Sequence, residues 1–452
     1  MHLLTGPTFR HNSLLWRILA AGVLLAPRAW PQAAHSTTEA SVGRAAQQSV
    51  RPPIGTVSTE PAESLTLEKA LALAEEHNPQ LKAAAAMARG AKASITTASA
   101  YPNPEFTTFA GRQYRRLPGA EPGLLQHYSV EQQVELPSVR KSRILTAELG
   151  RQSSRFGLEE ARLGVRAGVK RAFYLVLRRR AELELARENL RLVEDLRRRI
   201  QIQVEVGEAA KLELVRSDAE TATARVLANS AQLRLLNATT ALRTAIGAPV
   251  AGEVAPQGSL TPQITLPPWQ TLLGVVLNEH PMLAQAGSEI ERAKARLSNE
   301  LALRKPQPSL RAEYENQPDL GFFRFGVTLP VPVWNKREGP IAEAEAALEH
   351  LRATAEMRRL ELTAELERAY GQYEVASQQV ASFELGVLKE ATAAVDAAEA
   401  AFRFGERGII EVLDAQRVLR TVRQDFLTAQ YDVQDALINL EQLRAIAPEN
   451  HP

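Results

Sequence analysis

His127-Tyr128-Ser129-Val130-Glu131-Gln132-Gln133-Val134-Glu135-Leu136 decides between two folds that the rest of the chain leaves level. Tyr128, Val130, Gln132, Val134 and Leu136 share one face; Ser129, Glu131, Gln133 and Glu135 share the other. Alternation of this kind marks a strand with one apolar and one polar side. Phe106 to Gly111, Leu310 to Tyr314 and Phe323 to Leu329 repeat the habit. Strands of about ten residues, apolar toward lipid and polar toward a lumen, are the length a membrane barrel uses. Four strands cannot enclose a useful pore, since even small membrane barrels need about eight. A barrel built from this chain therefore requires an oligomer.

Around these strands the chain is helical. No proline, which would break a helix interior, occurs between Pro137 and Pro249 or between Pro340 and Pro448. Gly207 divides the first span and Gly405 with Gly408 the second, so the pieces before them run 69 residues (138–206) and 64 residues (341–404). At a rise of ~1.5 Å per residue each is roughly 100 Å long, about three times a bilayer's hydrocarbon thickness. Apolar residues recur in alternating steps of three and four: Leu362, Leu366, Ala369, Tyr373, Ala376, Val380, Phe383 and Val387 in one span, and Val169, Ala172, Val176, Leu183, Ala186, Leu190, Val193 and Ile200 in the other, interrupted by Arg179. That rhythm is a coiled-coil seam, and by itself it suits a soluble rod equally well. A rod has no use for the strands. The fold class expected is mainly α with a β-barrel portion.

The chain is written twice. Leu71 to Pro79 corresponds to Leu272 to Pro281, Pro102-Asn103-Pro104 to Pro306-Gln307-Pro308, and Val206-Gly207-Glu208 to Phe404-Gly405-Glu406, at separations of 202, 204 and 198 residues. A unit of about 200 residues has been duplicated. The expected layout is a first repeat over 65–247 with its strand pair near 104–136, a Gly- and Pro-rich linker over 248–268, a second repeat over 269–447 with its strand pair near 308–334, and a tail over 448–452. At the other end, Arg10 and Arg17 flank an apolar run from Leu14 to Ala26 that gives way to small residues. This reads as a secretory signal peptide over 1–34, followed by a flexible lead-in over 35–64 rich in Ser, Thr, Ala and Pro.

The 54 basic and 52 acidic residues nearly cancel, which removes the electrostatic support for nucleic-acid binding. Cysteine is absent, so disulfides and thiolate metal sites are excluded. The eight histidines show no ligand spacing such as His-x-x-x-His, and no metal or other cofactor is expected. His77 and His280 read as helix-end residues before proline. Nucleophile-elbow, phosphate-loop, metalloprotease and dinucleotide motifs are missing, and the chain does not read as an enzyme.

Leu65-Thr66-Leu67-Glu68-Lys69-Ala70-Leu71-Ala72-Leu73-Ala74-Glu75-Glu76-His77-Asn78-Pro79-Gln80-Leu81 resembles the opening signature of TolC-like outer-membrane efflux proteins. Phe402 to Ala415, containing Gly405-Glu406-Arg407-Gly408, resembles that family's helix-turn-helix at the periplasmic end; Val206 to Leu214 is its weaker counterpart in the first repeat. Leu329-Pro330-Val331-Pro332-Val333-Trp334-Asn335-Lys336 resembles the second strand-to-helix junction of the CzcC-like heavy-metal branch, whereas Pro137 and Ser138 stand where that branch usually has glycine. The resemblance implies a homotrimer in the outer membrane of a Gram-negative bacterium, contributing four strands per protomer to a twelve-strand barrel and long helices to a periplasmic tunnel. It also implies a periplasmic membrane-fusion adaptor and an inner-membrane pump of the RND type as partners. Multidrug efflux, protein secretion and, from another class, a soluble periplasmic scaffold are the competing readings.

In that family an arginine and acidic residues near the turn hold the tunnel entrance shut. The matching positions are Arg407, Glu411, Asp414 and, in the first repeat, Glu213; Phe402 lies where some members carry a hydrogen-bonding tyrosine. Gly207, Glu208, Gly405, Gly408, Val412 and Leu413 match the adaptor-docking turns. Read from the residues alone, Glu411 and Asp414 share a helical face and would form acidic rings in a three-fold assembly, favouring cations. Solvated charges beside a turn, each worth at most about 1 kcal/mol, explain any single one of them better, and the motif tips the balance only for the group.

Overall fold

The computed structural model describes residues 64–112, 118–119, 123–248, 255–260 and 266–444. All of them fall within one compact unit, Thr59–Pro452. The signal peptide expected over 1–34, the lead-in up to residue 63 and the tail over 448–452 lie outside the described residues.

The first repeat opens with a short strand β1 (Ser64–Leu65), then α1 (Leu67–His77) and α2 (Pro79–Ser99). Thr66 caps α1 by accepting from the Lys69 N–H, and Asn78 caps α2 by accepting from the Gln80 N–H at 2.8 Å, with Pro79 in the first turn, where a missing N–H costs nothing. A hairpin follows, β2 (Glu105–Arg112) and β3 (Leu124–Gln133). Then come α3 (Pro137–Glu205), an unbroken helix of 69 residues, and α4 (Lys211–Ile246). After β4 (Ala255–Pro256) the second repeat runs α5 (Trp269–Glu279), α6 (Pro281–Leu303), β5 (Ser309–Gln317) and β6 (Leu320–Thr328). It continues through α7 (Glu338–Ser382), a π-helical turn over Phe383–Val387, α8 (Leu388–Arg403) and α9 (Ile409–Gln442).

The duplication is visible residue by residue. Helix α1 buries Ala70 and Ala74, and α5 buries Leu272 and Val276, the residues 202 positions later. The two helices seat on different cores. Ala70 and Ala74 pack with Phe173, Val176, Leu242 and Ile246; Leu272 and Val276 pack with Leu362, Leu366, Ala369 and Leu440. Each fully buried leucine contributes about 1.5–3 kcal/mol relative to exposure.

Of the seam expected on α3, Val169, Val176, Leu183, Val193 and Ile200 are buried, while Ala172, Ala186 and Leu190 are partly exposed. Its interruption at Arg179 is an ionic knot, in which buried Glu182 accepts from Arg178 at 2.8 Å and from Arg179 at 2.6 Å. On α7 the seam holds through Ala376 and then departs from expectation. Val387 is 42% exposed, while Ala391 and Val395 are buried. An unbroken three-four alternation beyond Val387 would reach Glu390 and Ala394; the buried positions fall one residue later. The π turn, wider than an α turn, accommodates that additional residue.

The linker between repeats also does more than connect. Its β4 pairs in parallel with β1, setting Ser64 beside Ala255 and Leu65 beside Pro256, and Leu260 is buried in the core around Phe173. The linker is thus fastened to the start of the first repeat and to its core.

Candidate functional site

The four long strands form one antiparallel sheet in the order β2-β3-β5-β6, so the two hairpins meet through β3 and β5. Register places Phe106, Val130, Ala312 and Phe325 in one row across the sheet, and Thr108, Tyr128, Tyr314 and Phe323 in the next. These rows lie on one face. Phe106, Phe323, Phe325 and Val327 are each more than 60% exposed there, with Tyr128 and Tyr314 stacked. The opposite face is polar: Glu131 pairs with Arg311, Arg324 pairs with Glu313 and Glu315, and Ser309 donates to Glu131 at 2.6 Å. An apolar surface of this extent is covered by lipid or protein in a stable molecule. The outer strands β2 and β6 each leave one edge without a partner among the described residues, and such an edge is tolerated in a bilayer only if a barrel closes. Among the described residues no helix is long and apolar enough to cross a membrane.

Both hairpins enter their long helices through basic junctions. Strand β3 ends at Gln133, three residues before the expected Leu136, which instead precedes α3; the Val134 N–H still reaches the Pro308 carbonyl at 2.8 Å. Arg143 clamps the junction by donating to the Ala98 and Ala100 carbonyls and pairing with Glu135 at 2.6 Å. Arg140 donates to the Ser99 carbonyl and lies 4.4 Å over the Tyr101 ring. These guanidinium groups thus sit at the carboxyl end of α2, where the helix dipole favours cations. In the second repeat Arg337 pairs with Glu300, and Trp334 is 96% exposed, as suits a side chain at a membrane interface.

At the far end of the long helices the two turns are built alike. Gly207 and Gly405 have φ of 83° and 73°, the left-handed region that glycine enters cheaply. The Glu208 N–H bonds the Gln203 carbonyl at 2.8 Å, and the Glu406 N–H bonds the Ala401 carbonyl at 2.9 Å. With the Gly207 N–H on Val204 and the Gly405 N–H on Phe402, each helix ends in a Schellman motif, which satisfies its last carbonyls. Gly408 is different: it precedes α9 in extended conformation at φ −80°.

The matched polar residues gather at these turns. Arg407 pairs with Glu411 at 3.8 Å, one helical turn apart and both well exposed, a contact worth about 0.3–0.5 kcal/mol. Asp414 lies 3.6 Å from Arg417. Glu213 occupies the first turn of α4, where the helix dipole favours an acid. Glu208 is exposed. Phe402 packs beside Ile200, Ile409, Val412 and Leu413, so it belongs to the small core beneath the turns rather than to a polar latch. Val412 and Leu413 are likewise buried, at 1% and 7% exposure, and present no surface to a partner; Ile409, Val412 and Leu413 had the spacing of a core stripe.

Sequence spacing missed a polar contact of the region that rests on a buried carboxylate. Glu220, on α4 and 8% exposed, accepts from Arg417 at 2.6 Å and lies 3.7 Å from Arg420 on α9. Its hydrogen bond, and then its charge, hold the Arg417 guanidinium more firmly protonated than usual. Arg417 thereby bridges buried Glu220 to exposed Asp414. The partners are 197 residues apart, and nothing in either repeat marks them as a pair.

The sequence profile of the outer membrane efflux protein family, OEP, matches residues 70–248 and 272–445, one stretch in each repeat. The chain belongs to that family. Like its relatives, this OEP chain is an outer-membrane efflux channel, with a family and fold of channels rather than enzymes. It is 29% identical over 381 residues to the cobalt-zinc-cadmium resistance protein CzcC of Cupriavidus metallidurans, covering 81% of this chain and 87% of CzcC. The nickel-cobalt-cadmium resistance protein NccC of Alcaligenes xylosoxydans is 24% identical, with 69% of this chain and 70% of NccC covered. The pyoverdine export outer membrane protein OpmQ of Pseudomonas aeruginosa is 23% identical, with coverage of 84% and 82%. The solved structure of CusC superposes with a TM-score of 0.72 at 17% identity, covering 86% of this chain and 95% of CusC. The TolC-like fold, mainly helical with a barrel sheet, is therefore that of this OEP chain.

Proposed function

We propose that this chain is the passive exit duct of a tripartite efflux system for divalent heavy-metal cations. It works as a homotrimer with a periplasmic membrane-fusion adaptor and an inner-membrane pump of the RND type. The observation that carries the duct is the sheet. One face is aromatic and exposed, the other is charged, and both edges lack a partner among the described residues, so three copies joined β2 to β6 would give twelve strands facing outer-membrane lipid outside and water inside. Energy and cargo selection belong to the pump, since the chain carries no catalytic motif. Metal cations as cargo are supported by the names of CzcC and NccC.

The paired turns around Gly207 and Gly405 are the adaptor dock in this reading. Arg407, Glu411, Asp414 and Glu213 line the entrance, with Glu220 and Arg417 tying α4 to α9 behind it. Membrane fractionation tests the duct: the full chain should be recovered in outer membranes as heat-modifiable trimers, and recovery as soluble periplasmic protein would reject it. Loss of zinc, cobalt or cadmium tolerance on deletion of the gene tests the cargo. An organic cargo, supported by OpmQ, would leave metal tolerance unchanged.

A further inference from the structure

On the polar face of the sheet, register brings together three side chains that the sequence keeps far apart. His127 on β3 stands directly opposite Glu315 on β5, and Glu313 lies on the same face one row away. Their ligand atoms all lie within 4.8 Å of one another, and His127 Nδ1 is 3.2 Å from Glu313 Oε1. All three are half-buried although they face the lumen side. The same row continues to Phe109 on β2 and Phe322 on β6, so an aromatic ring stands on either side of the cluster; the Phe109 and His127 rings are 5.7 Å apart.

We infer that His127, Glu313 and Glu315 form a transit site for a divalent transition-metal cation on the lumen wall. This rests on the reading of the polar face as the wall of an aqueous duct. One imidazole and two carboxylates suit zinc and cobalt, and three protein ligands leave a coordination position for water, through which ligand exchange can proceed. The remaining member of the cluster decides its strength. Arg324 donates to Glu313 at 2.9 Å and to Glu315 at 2.5 Å, so in the absence of metal a guanidinium neutralises the two carboxylates. Guanidinium cannot ligate a metal, and it is half-exposed, free to swing toward water when a dication takes the oxygens. It acts as a built-in competitor. A conduit needs this property, because a site that holds its cargo tightly would block the passage.

The test is cobalt(II) titration of the detergent-solubilised full chain, read by the ligand-field absorption of the bound ion, with zinc(II) as competitor. Absence of cysteine keeps thiolate bands out of the spectrum. Wild type should show a weak, zinc-displaceable band. His127→Ala and Glu315→Gln should abolish it, and His127→Gln should do the same with a smaller change in shape. Arg324→Gln should tighten binding about fivefold to tenfold, since a positive charge at contact distance is removed. A gain that disappears again when His127→Ala is added to Arg324→Gln belongs to this site and not to ligands exposed by misfolding, so the proposal stays open to refutation even if the other variants assemble poorly. A band unchanged by His127→Ala and Glu315→Gln, or binding weakened by Arg324→Gln, overturns it. Wild-type trimers that conduct in planar bilayers but bind no cobalt reject the site and leave the duct. A chain that binds cobalt but does not conduct rejects the duct and leaves the site.

Discussion

Acidification from pH 6.5 to 4 should destabilise this fold through one side chain, His280, and the substitution His280→Asn should remove most of that sensitivity. His280 is 2% exposed and caps α6, its Nδ1 accepting from the Met282 N–H at 3.2 Å. A ring that accepts there must be neutral, carrying its proton on Nε2. Burial first, and then the positive charge of Arg444, push its pKa down from 6.5 to about 4. Because the folded value is the lower one, the unfolded chain binds the proton more readily below pH 6.5. Stability is therefore intact above that pH and declines as pH falls. At about 1.4 kcal/mol per pKa unit the full loss, reached near pH 4, is roughly 3 kcal/mol. Glu160, whose Oε2 lies 3.8 Å from the ring, opposes part of this: burial pushes its carboxyl upward, which favours the folded state on acidification. Asparagine is the natural replacement, since Asn78 makes the same cap at the corresponding place in the first repeat. Imidazole C2 hydrogen exchange read by mass spectrometry on the detergent-solubilised chain gives the titration midpoint. Trimer dissociation temperature against pH gives the stability. A His280 midpoint at or above 6, or equal acid sensitivity in His280→Asn, would refute the reasoning.

Three further outcomes follow from the geometry. Replacing Glu411 and Asp414 together with alanine should raise single-channel conductance in planar bilayers and weaken block by divalent cations; unchanged conductance and block count against the entrance reading. Gly405→Ala should lower trimer stability by about 1–2 kcal/mol through backbone strain alone, because nothing lies within 4 Å of the added carbon; a thermal shift assay that shows no loss would mean the turn relaxes. Phe325→Arg, on the exposed aromatic face, should cost about 2–4 kcal/mol per protomer if the residue lies near the bilayer midplane, and should deplete heat-modifiable trimers from outer membranes; assembly equal to wild type would place that face away from lipid.

Much of the fold was legible because it rests on periodicity and punctuation. The three-four seam of α3, the alternating strands and the proline-free spans are local signals, and the duplication tested each against its twin. What escaped the sequence lies between distant residues or in very short elements. The pairing of β1 with β4 involves two residues a side, too few to show a pattern. Glu220 and Arg417 meet only because α4 and α9 both pack against α3, and His127 meets Glu315 only through strand register, so a search by spacing along the chain could not find either pair. Val412 and Leu413 misled in a different sense. Their position in the turn motif suggested surface, and only the structure, which buries them with Ile409, shows that their spacing is that of a core stripe.

The π turn at Phe383–Val387 makes this helix unequally tolerant of changes in length. Elsewhere in α7, loss of one residue would turn everything beyond it by about 100°, carrying buried Ala391 and Val395 out of their seats. Within the π turn the surplus residue is already present, so its removal would leave an ordinary α turn with both flanking seams in phase. Descendants of this chain can therefore shed a residue there without redesigning either end, and that five-residue stretch is where single-residue length differences should accumulate.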